Sequence, residues 1–470
     1  TSVEDSAKQH AELASNKPAQ ASKADTPPTE QPVNRDRQIL RDGLHEKLGA
    51  GESINNNNDL KRIAAELLGV KTSDLSTMQL KEAQEAYEAA AVRHRRDAIV
   101  DVLSRGNGVH EAFQSAVEAY EGQPNLDVRT AKSSDLQAYS TPTPMALLAN
   151  LAAGAWAGKT VFEPTAGNGL LLLTADAKTT YSNELDPDRA DSLAWSGFNV
   201  TIKDATNNPL EGMVPEKVDS VLANPPFGKY RDEAGKPAKV EFSDPQGRTH
   251  VLGEIDHIIA KNALDAMKDD GKATLILGAP KEAGDYTGNN KAFLNWLYSN
   301  YNVVHHVEAG GDLFKGQGAG WPTQMIVIHG RAKDGTGKFA PFKGEIQRLN
   351  TWDSIYDSFK QQGLLDTQGA VFSKTTGHGQ LSEGYQPVTE LSSSELSDNQ
   401  QTGRNGGRDG AGRSGRSGKS VGNGLRQQSG NSTSPDGAFD SQPDISGRKL
   451  ESAESKPATN SGNSDGDRRA

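Results

Sequence analysis

Asn224-Pro225-Pro226-Phe227 carries the most legible chemistry in this chain. The tetrapeptide follows the apolar run Val221-Leu222-Ala223 and precedes Gly228, as at the end of a buried strand that runs into a stiff turn. Consecutive prolines fix φ and remove two backbone N–H donors, which lets carbonyls and the Asn side chain be aimed outward. An aromatic ring stands beside them. In-plane acceptors next to a stacking face are what a planar base with an exocyclic amine requires. A plain strand-ending proline turn has the same local sequence, so the surrounding chain decides between the two.

Upstream, Val161-Phe162-Glu163-Pro164-Thr165-Ala166-Gly167-Asn168-Gly169 reads as a strand, a Gly-rich turn and then the apolar run Leu170 to Leu173. Gly167 and Gly169 permit positive φ and close approach of a ligand to backbone. The first strand end is where open α/β sheets bind cofactors. The next strand-like run, Thr180 to Asn183, ends in Glu184, near the offset of an acid that holds ribose hydroxyls, with Asp186 the next candidate. Val200 to Lys203 then ends in Asp204. Three successive strand ends therefore bring a polar side chain to one sheet edge.

These elements need a scaffold, and the pattern supplies one. Between about 130 and 332, strand-like runs alternate with helical ones: His257 to Met267 and Phe293 to Leu297 as helices, Ala273 to Leu277, Val303-Val304 and Met325 to Ile328 as strands. That alternation predicts a mostly parallel, doubly wound α/β sheet, the last two runs forming an antiparallel hairpin at one edge. Residues 35–121 read as helical, with Ser76-x-x-Gln79 as a capping box and Asn55 to Asn58 as an interhelical loop. Gly122-Gln123-Pro124 opens a linker. Residues 346–390 read as a small appended element around Trp352, Ile355, Tyr356 and Phe359. Residues 1–34 and the Gly/Ser/Arg-rich 391–470 read as disordered, being polar and without periodicity.

At this point the chain resembles a family. Glu163 to Gly169, Glu184, Asp204 and Asn224 to Phe227 are similar to motifs I, II, III and IV of S-adenosylmethionine-dependent amino-methyltransferases, in particular the DNA adenine-N6 enzymes. Tyr139-Ser140-Thr141-Pro142 resembles their motif X. Gly311 to Phe314, Gln317 to Pro322 and the Leu60 to Leu68 segment resemble the methylase portion of phage and plasmid methylase–helicase polypeptides of the defence-against-restriction type. The resemblance spans roughly residues 36–345. It implies a Rossmann-like class I methyltransferase domain at 130–345 that uses S-adenosylmethionine and acts on a base-flipped adenine in DNA. Asn224 and Pro225 would accept the amine's N–H bonds, and Phe227, beside Pro226, would stack on the base. Glu184 would hold the ribose, Asp204 the adenine amine, and Thr141 with the Gly167/Gly169 loop the methionine part, in the motif that also holds Glu163, Pro164 and Ala166. A helicase, specificity or virion partner chain belongs to such a setting, as does a bacterial cytoplasm. An RNA or protein-glutamine methyltransferase and a non-catalytic phage component on the same fold remain the alternatives.

Composition limits the classes further. Only 34% of the 470 residues are hydrophobic and mean hydropathy is −0.68, so part of the chain is expected not to pack. No apolar run approaches the length of a membrane span, and the N-terminus has no signal-peptide core. Thr1 opens the chain, as in a product of processing. The absence of cysteine excludes disulfides, thiolate zinc sites and a Cys nucleophile. His305-His306 reads as strand, and no metal site is expected. Net charge is −11, so nucleic-acid affinity has to come from local clusters. The mixed loop with Lys229, Arg231, Lys236, Lys239 and Arg248 lies beside the catalytic turn. The tail has Arg404, Arg408, Arg413, Arg416 and Lys419. Arg93, Arg95 and Arg96 read as a solvated helix face.

Overall fold

The computed structural model describes residues 35–381 apart from 107, 124–140, 233, 318–319, 334–336 and 375–376. The expectations for 1–34, for Tyr139-Ser140 and for the basic tail fall outside the described residues.

Among the described residues, five α-helices precede the first strand: α1 (Arg35–Gly49), α2 (Asn57–Leu68), α3 (Thr77–Ser104), α4 (Val109–Glu121) and α5 (Thr143–Ala153). The expected capping box opens α3, with Ser76 Oγ accepting from the Gln79 amide and the Gln79 side chain returning to Ser76 N. Asn56 caps α2 from the polar loop before it.

The remainder follows as β1 (Val161–Glu163), β2 (Thr180–Asn183), α6 (Pro187–Trp195), β3 (Asn199–Thr201), β4 (Val218–Ala223), β5 (Val240–Ser243), β6 (Thr249–Leu252), α7 (Ile255–Asp265), β7 (Met267–Gly278), α8 (Gly288–Asn300), β8 (Tyr301–Ala309), β9 (Thr323–Arg331), β10 (Arg348–Leu349) and α9 (Trp352–Gln361). The main sheet runs β10-β8-β9-β7-β4-β1-β2-β3, while β5 and β6 form a separate hairpin. Every pairing in the main sheet is parallel except those of β9 with β7 and β8. Order reverses beside β1, the switch point where such sheets open a crevice. This is the mostly parallel, doubly wound sheet expected, with the antiparallel β8–β9 pair toward one edge and β10 outside it.

Alternation along the central strands builds two faces. Val161, Leu222, Ile276, Met325 and Val327 enter one core; Phe162, Val221, Leu275, Ile326 and Ile328 enter the other. The connection from β1 to β2 has only short 3₁₀ turns, so its face of the sheet needs cover from elsewhere. Ile99 of α3, Phe113 of α4 and Leu147 of α5 supply it, joined by Ile355 and Phe359 of α9. The stretches 92–120 and 352–364, set apart in sequence, thus share one core with the sheet, while Leu40 to Ala91 pack as a separate cluster joined by Trp195.

The arginine face on α3 is corrected by this packing. Arg96 is buried with its guanidinium 4.4 Å from the Phe198 ring centroid. Arg93 lies 4.7 Å over the Trp195 ring and donates to the Trp195 carbonyl at 3.2 Å. These cations fasten α3 to α6 and the chain after it. They are neither a solvated face nor a phosphate site.

Candidate active site

A cavity of about 320 Å³ opens at the carboxyl edge of the sheet beside β1. Every residue singled out above for catalysis or cofactor binding lines it, except Gly169 and the second ribose candidate Asp186. Gly169 is one step behind the wall: its φ is +85°, and a Cβ there would meet Leu193 Cδ1 at 2.6 Å. Gly167, with φ +54°, faces the cavity.

Backbone hydrogen bonds hold the glycine loop. Glu184 is buried, its Oε2 accepting from Gly167 N at 2.7 Å and its Oε1 from Asp186 N at 2.9 Å. Each carboxylate oxygen has a second lone pair for a ligand. Asn183, which the sequence reading passed over, ties three strand ends together. Its buried Nδ2 donates to the Pro164 and Lys203 carbonyls at 3.0 and 2.8 Å, and its Oδ1 accepts from Lys203 N at 3.0 Å. A strand-terminal Asn just before the acid was the available signal.

Glu163 is 1% exposed, and its Oε2 has no hydrogen-bond partner. Burial pushes its carboxyl well above the usual range, and the charge of Glu184 adds to the push. Asp204 is exposed at the mouth; its Oδ1 accepts from Thr206 N and Oγ1, both at 2.8 Å. Leu185, between the two acids, exposes 53% of its surface in the lining, an apolar platform that the sequence reading missed. Val92 of α3 also lines the cavity.

At the other end, Asn224 Nδ2 donates to Thr141 Oγ1 at 2.9 Å. That bond fixes the amide and leaves Oδ1 free of it. Phe227 packs over the end of β7, where a Cβ on Gly278 would lie 3.7 Å from its Cγ. The same strand end is fastened from several sides. Asp256 Oδ2 accepts from Gly278 N at 3.3 Å, Gln324 Nε2 donates to Gly278 O at 2.7 Å, and Trp321 Nε1 donates to Ala279 O at 2.9 Å. Trp321 is 41% exposed.

No family model and no curated protein matches the chain. Solved structures overlap it weakly. A protein described as a class I S-adenosylmethionine-dependent methyltransferase from Listeria monocytogenes is 13% identical, with TM-score 0.37 over 71% of this chain and 100% of its own. TrmN from Thermus thermophilus is 17% identical, with TM-score 0.26 over 40% of this chain and 49% of its own. The M protein of the type I restriction enzyme EcoKI is 13% identical, with TM-score 0.32 over 65% and 69%. Overlaps of this size say nothing about substrate.

The basic loop after the catalytic turn divides in two. Lys229 and Arg231 line the cavity. Arg248 sits at the tip of the β5–β6 hairpin, bound to Asp244 at 2.6 Å, and the hairpin packs through Phe242 against Trp296 of α8. His305 and His306 lie in β8 as expected; burial lowers His306 to about 3, with its Nε2 against Gln324. Among the described residues no group of three His, Asp or Glu is placed to hold a metal ion, and no helix is long and apolar enough to cross a membrane.

Proposed function

We propose that this cavity binds S-adenosylmethionine and that the chain transfers its methyl group to the N6 amine of adenine in DNA. The observation that carries the reading is the Asn224–Thr141 bond, which leaves one amide oxygen between a diproline turn and an aromatic face at the mouth of a cofactor-sized cavity.

The amine of adenine is a weak nucleophile because its lone pair is delocalised into the ring. Asn224 Oδ1 and the Pro225 carbonyl accept its two N–H bonds, drawing the nitrogen toward tetrahedral geometry so that no strong base is needed. Phe227 stacks on the extruded base, a contact worth ~1–3 kcal/mol. Orientation supplies much of the rate, up to ~7–11 kcal/mol in favourable cases.

The residues present fit the cofactor. Bound, it would supply an activated methyl on a sulfonium. Buried Glu163, with its partnerless oxygen, suits the cofactor's cationic end, whose charge would reverse the push that burial exerts on the carboxyl. Glu184 suits ribose hydroxyls and Leu185 an adenine face, while Asp204 has an acceptor for the adenine amine. The resemblance to methylases of phage and plasmid origin supports a role in protection from restriction, with a helicase or specificity chain as partner.

Labelled methyl transfer assayed in parallel on duplex DNA, RNA and a glutamine-containing protein tests the reading. Label on DNA, recovered as N6-methyladenine, is the expected outcome; label on RNA or protein alone overturns the substrate, and no transfer despite cofactor binding overturns the activity.

A further inference from the structure

Four basic side chains line the cavity, and three of them are engaged. Lys229 pairs with Glu254, Lys203 Nζ donates to Glu211 O at 3.1 Å, and Arg231 Nη1 donates to Gly235 O at 2.8 Å. The fourth is Arg189, in the first turn of α6. Its guanidinium makes neither an ion pair nor a hydrogen bond among the described residues.

Its place is informative. Arg189 Nη2 lies 3.4 Å from where a Cβ on Gly167 would sit, and Glu184 Oε2 accepts from the N–H of that same glycine. An acid and a guanidinium thus flank one residue of the glycine loop without pairing. Glu184 cannot swing across, because both its oxygens are bonded to backbone. Arg189 also interacts electrostatically with Glu88 on α3, whose Oε2 accepts from Asn168 Nδ2 at 3.4 Å.

A gap between a fixed acceptor and an unused donor suits a group that both donates and accepts. A hydroxyl does both, and a vicinal diol does so twice. We infer that Arg189 and Glu184 form a diol clamp on the ribose of the cofactor, in which the ribose O–H groups donate to Glu184 and their oxygens accept from Arg189. The inference rests on the reading of the cavity as a cofactor site, and it makes α3 part of that site through Glu88 and Val92. Arg189 follows Glu184 in the turn into α6, but Gly167 also belongs to the loop given to the methionine part, so the cofactor's carboxylate is the rival target and only a probe without the amino-acid tail separates the two.

Calorimetry with two probes tests this: S-adenosylhomocysteine, and 5′-methylthioadenosine, which keeps adenine and ribose but lacks the amino-acid tail. In Arg189→Ala both affinities should fall by the same factor, about ten-fold or more, with Arg189→Lys between variant and wild type. Loss for S-adenosylhomocysteine alone would assign Arg189 to the carboxylate and overturn the clamp, as would unchanged affinity for both in a variant with a wild-type melting curve. If the unaltered protein binds neither probe, the cofactor reading itself fails, an outcome distinct from failure of the clamp.

Discussion

At the glycine-loop end of the cavity, the ligand-facing groups are held by main chain. Glu184 grips two backbone amides, Asn183 joins the carbonyls of two strand ends, and Glu163 is sealed from solvent. At the Asn224 end, a single side-chain bond to Thr141 orients the reactive amide, and two prolines replace hydrogen bonds as the source of stiffness. The first end is built to keep one shape around one ligand. On the proposed function the second needs an opening through which a macromolecular substrate can present a base, and it takes its rigidity from covalent geometry. Substitutions at the first end should therefore appear as lost affinity and stability, and those at the second as lost turnover.

The sharpest break in that contrast is Asn224→Ala. Methyl transfer should fall by about 10²–10³-fold or more, while S-adenosylhomocysteine affinity stays within a factor of two by calorimetry. Near-normal turnover would remove Asn224 from the chemistry. Glu184→Ala should do the reverse. Cofactor affinity should drop about 10–100-fold, and the melting temperature should fall as well, since Gly167 and Asp186 lose their charged acceptor. Unchanged affinity in that variant would hand the ribose contact to Asp186.

Thr141→Val sharpens the comparison because it removes the acceptor for the Asn224 amide while keeping the side chain's shape. The turnover number should fall roughly ten-fold, as expected for losing ~1.5 kcal/mol of hydrogen bonding, and Thr141→Ser should restore it. Equal losses in the Val and Ser variants would make Thr141 a packing residue. Phe227→Ala should raise the KM for substrate by an amount equivalent to ~1–3 kcal/mol, and Phe227→Trp should raise it less. If both rings fail alike, stacking is the wrong account of Phe227.

How far the sequence led varied with how local each cause was. Strand ends carrying Glu163, Glu184, Asp204 and Asn224 were legible because strand-like runs stop at polar residues, and the sheet then carries those stops to one edge. The Ser76 cap was legible for the same reason: its bonds span three residues. Arg93 and Arg96 misled, because a run of arginines on a helix looks solvated until Trp195 and Phe198, about a hundred residues away, pack against it. Leu185 escaped notice as one leucine between two acids; only the cavity gives its exposure a meaning. The hairpin that carries Arg248 away from the mouth depends on Phe242 meeting Trp296, a pairing no local pattern encodes.

The smallest effect on turnover is expected beneath Phe227, at Asp256. Its carboxyl is 4% exposed in the first turn of α7, and burial pushes it up to about 7, against the pull of the Gly278 N–H and other backbone donors. An acid whose folded pKa lies above its unfolded value adds stability at low pH, and that contribution is lost as pH rises through the folded value. For Asp256 the loss runs from about pH 4 to about pH 7 and amounts to a few kcal/mol in order of magnitude. His257 and His306, lowered by burial to about 4 and about 3, act with the opposite sign: their contribution is lost as pH falls below the ordinary histidine range. The difference between wild type and Asp256→Asn cancels the histidines and isolates the carboxyl, while the Asn oxygen can still accept from Gly278. Melting temperatures measured from pH 4 to 8 should therefore converge at the acid end, with the variant the more stable near neutrality and turnover at pH 6 nearly the same in both. Parallel curves across the range would mean that Asp256 is already charged in the folded protein and that the floor beneath Phe227 is wetter than its burial implies.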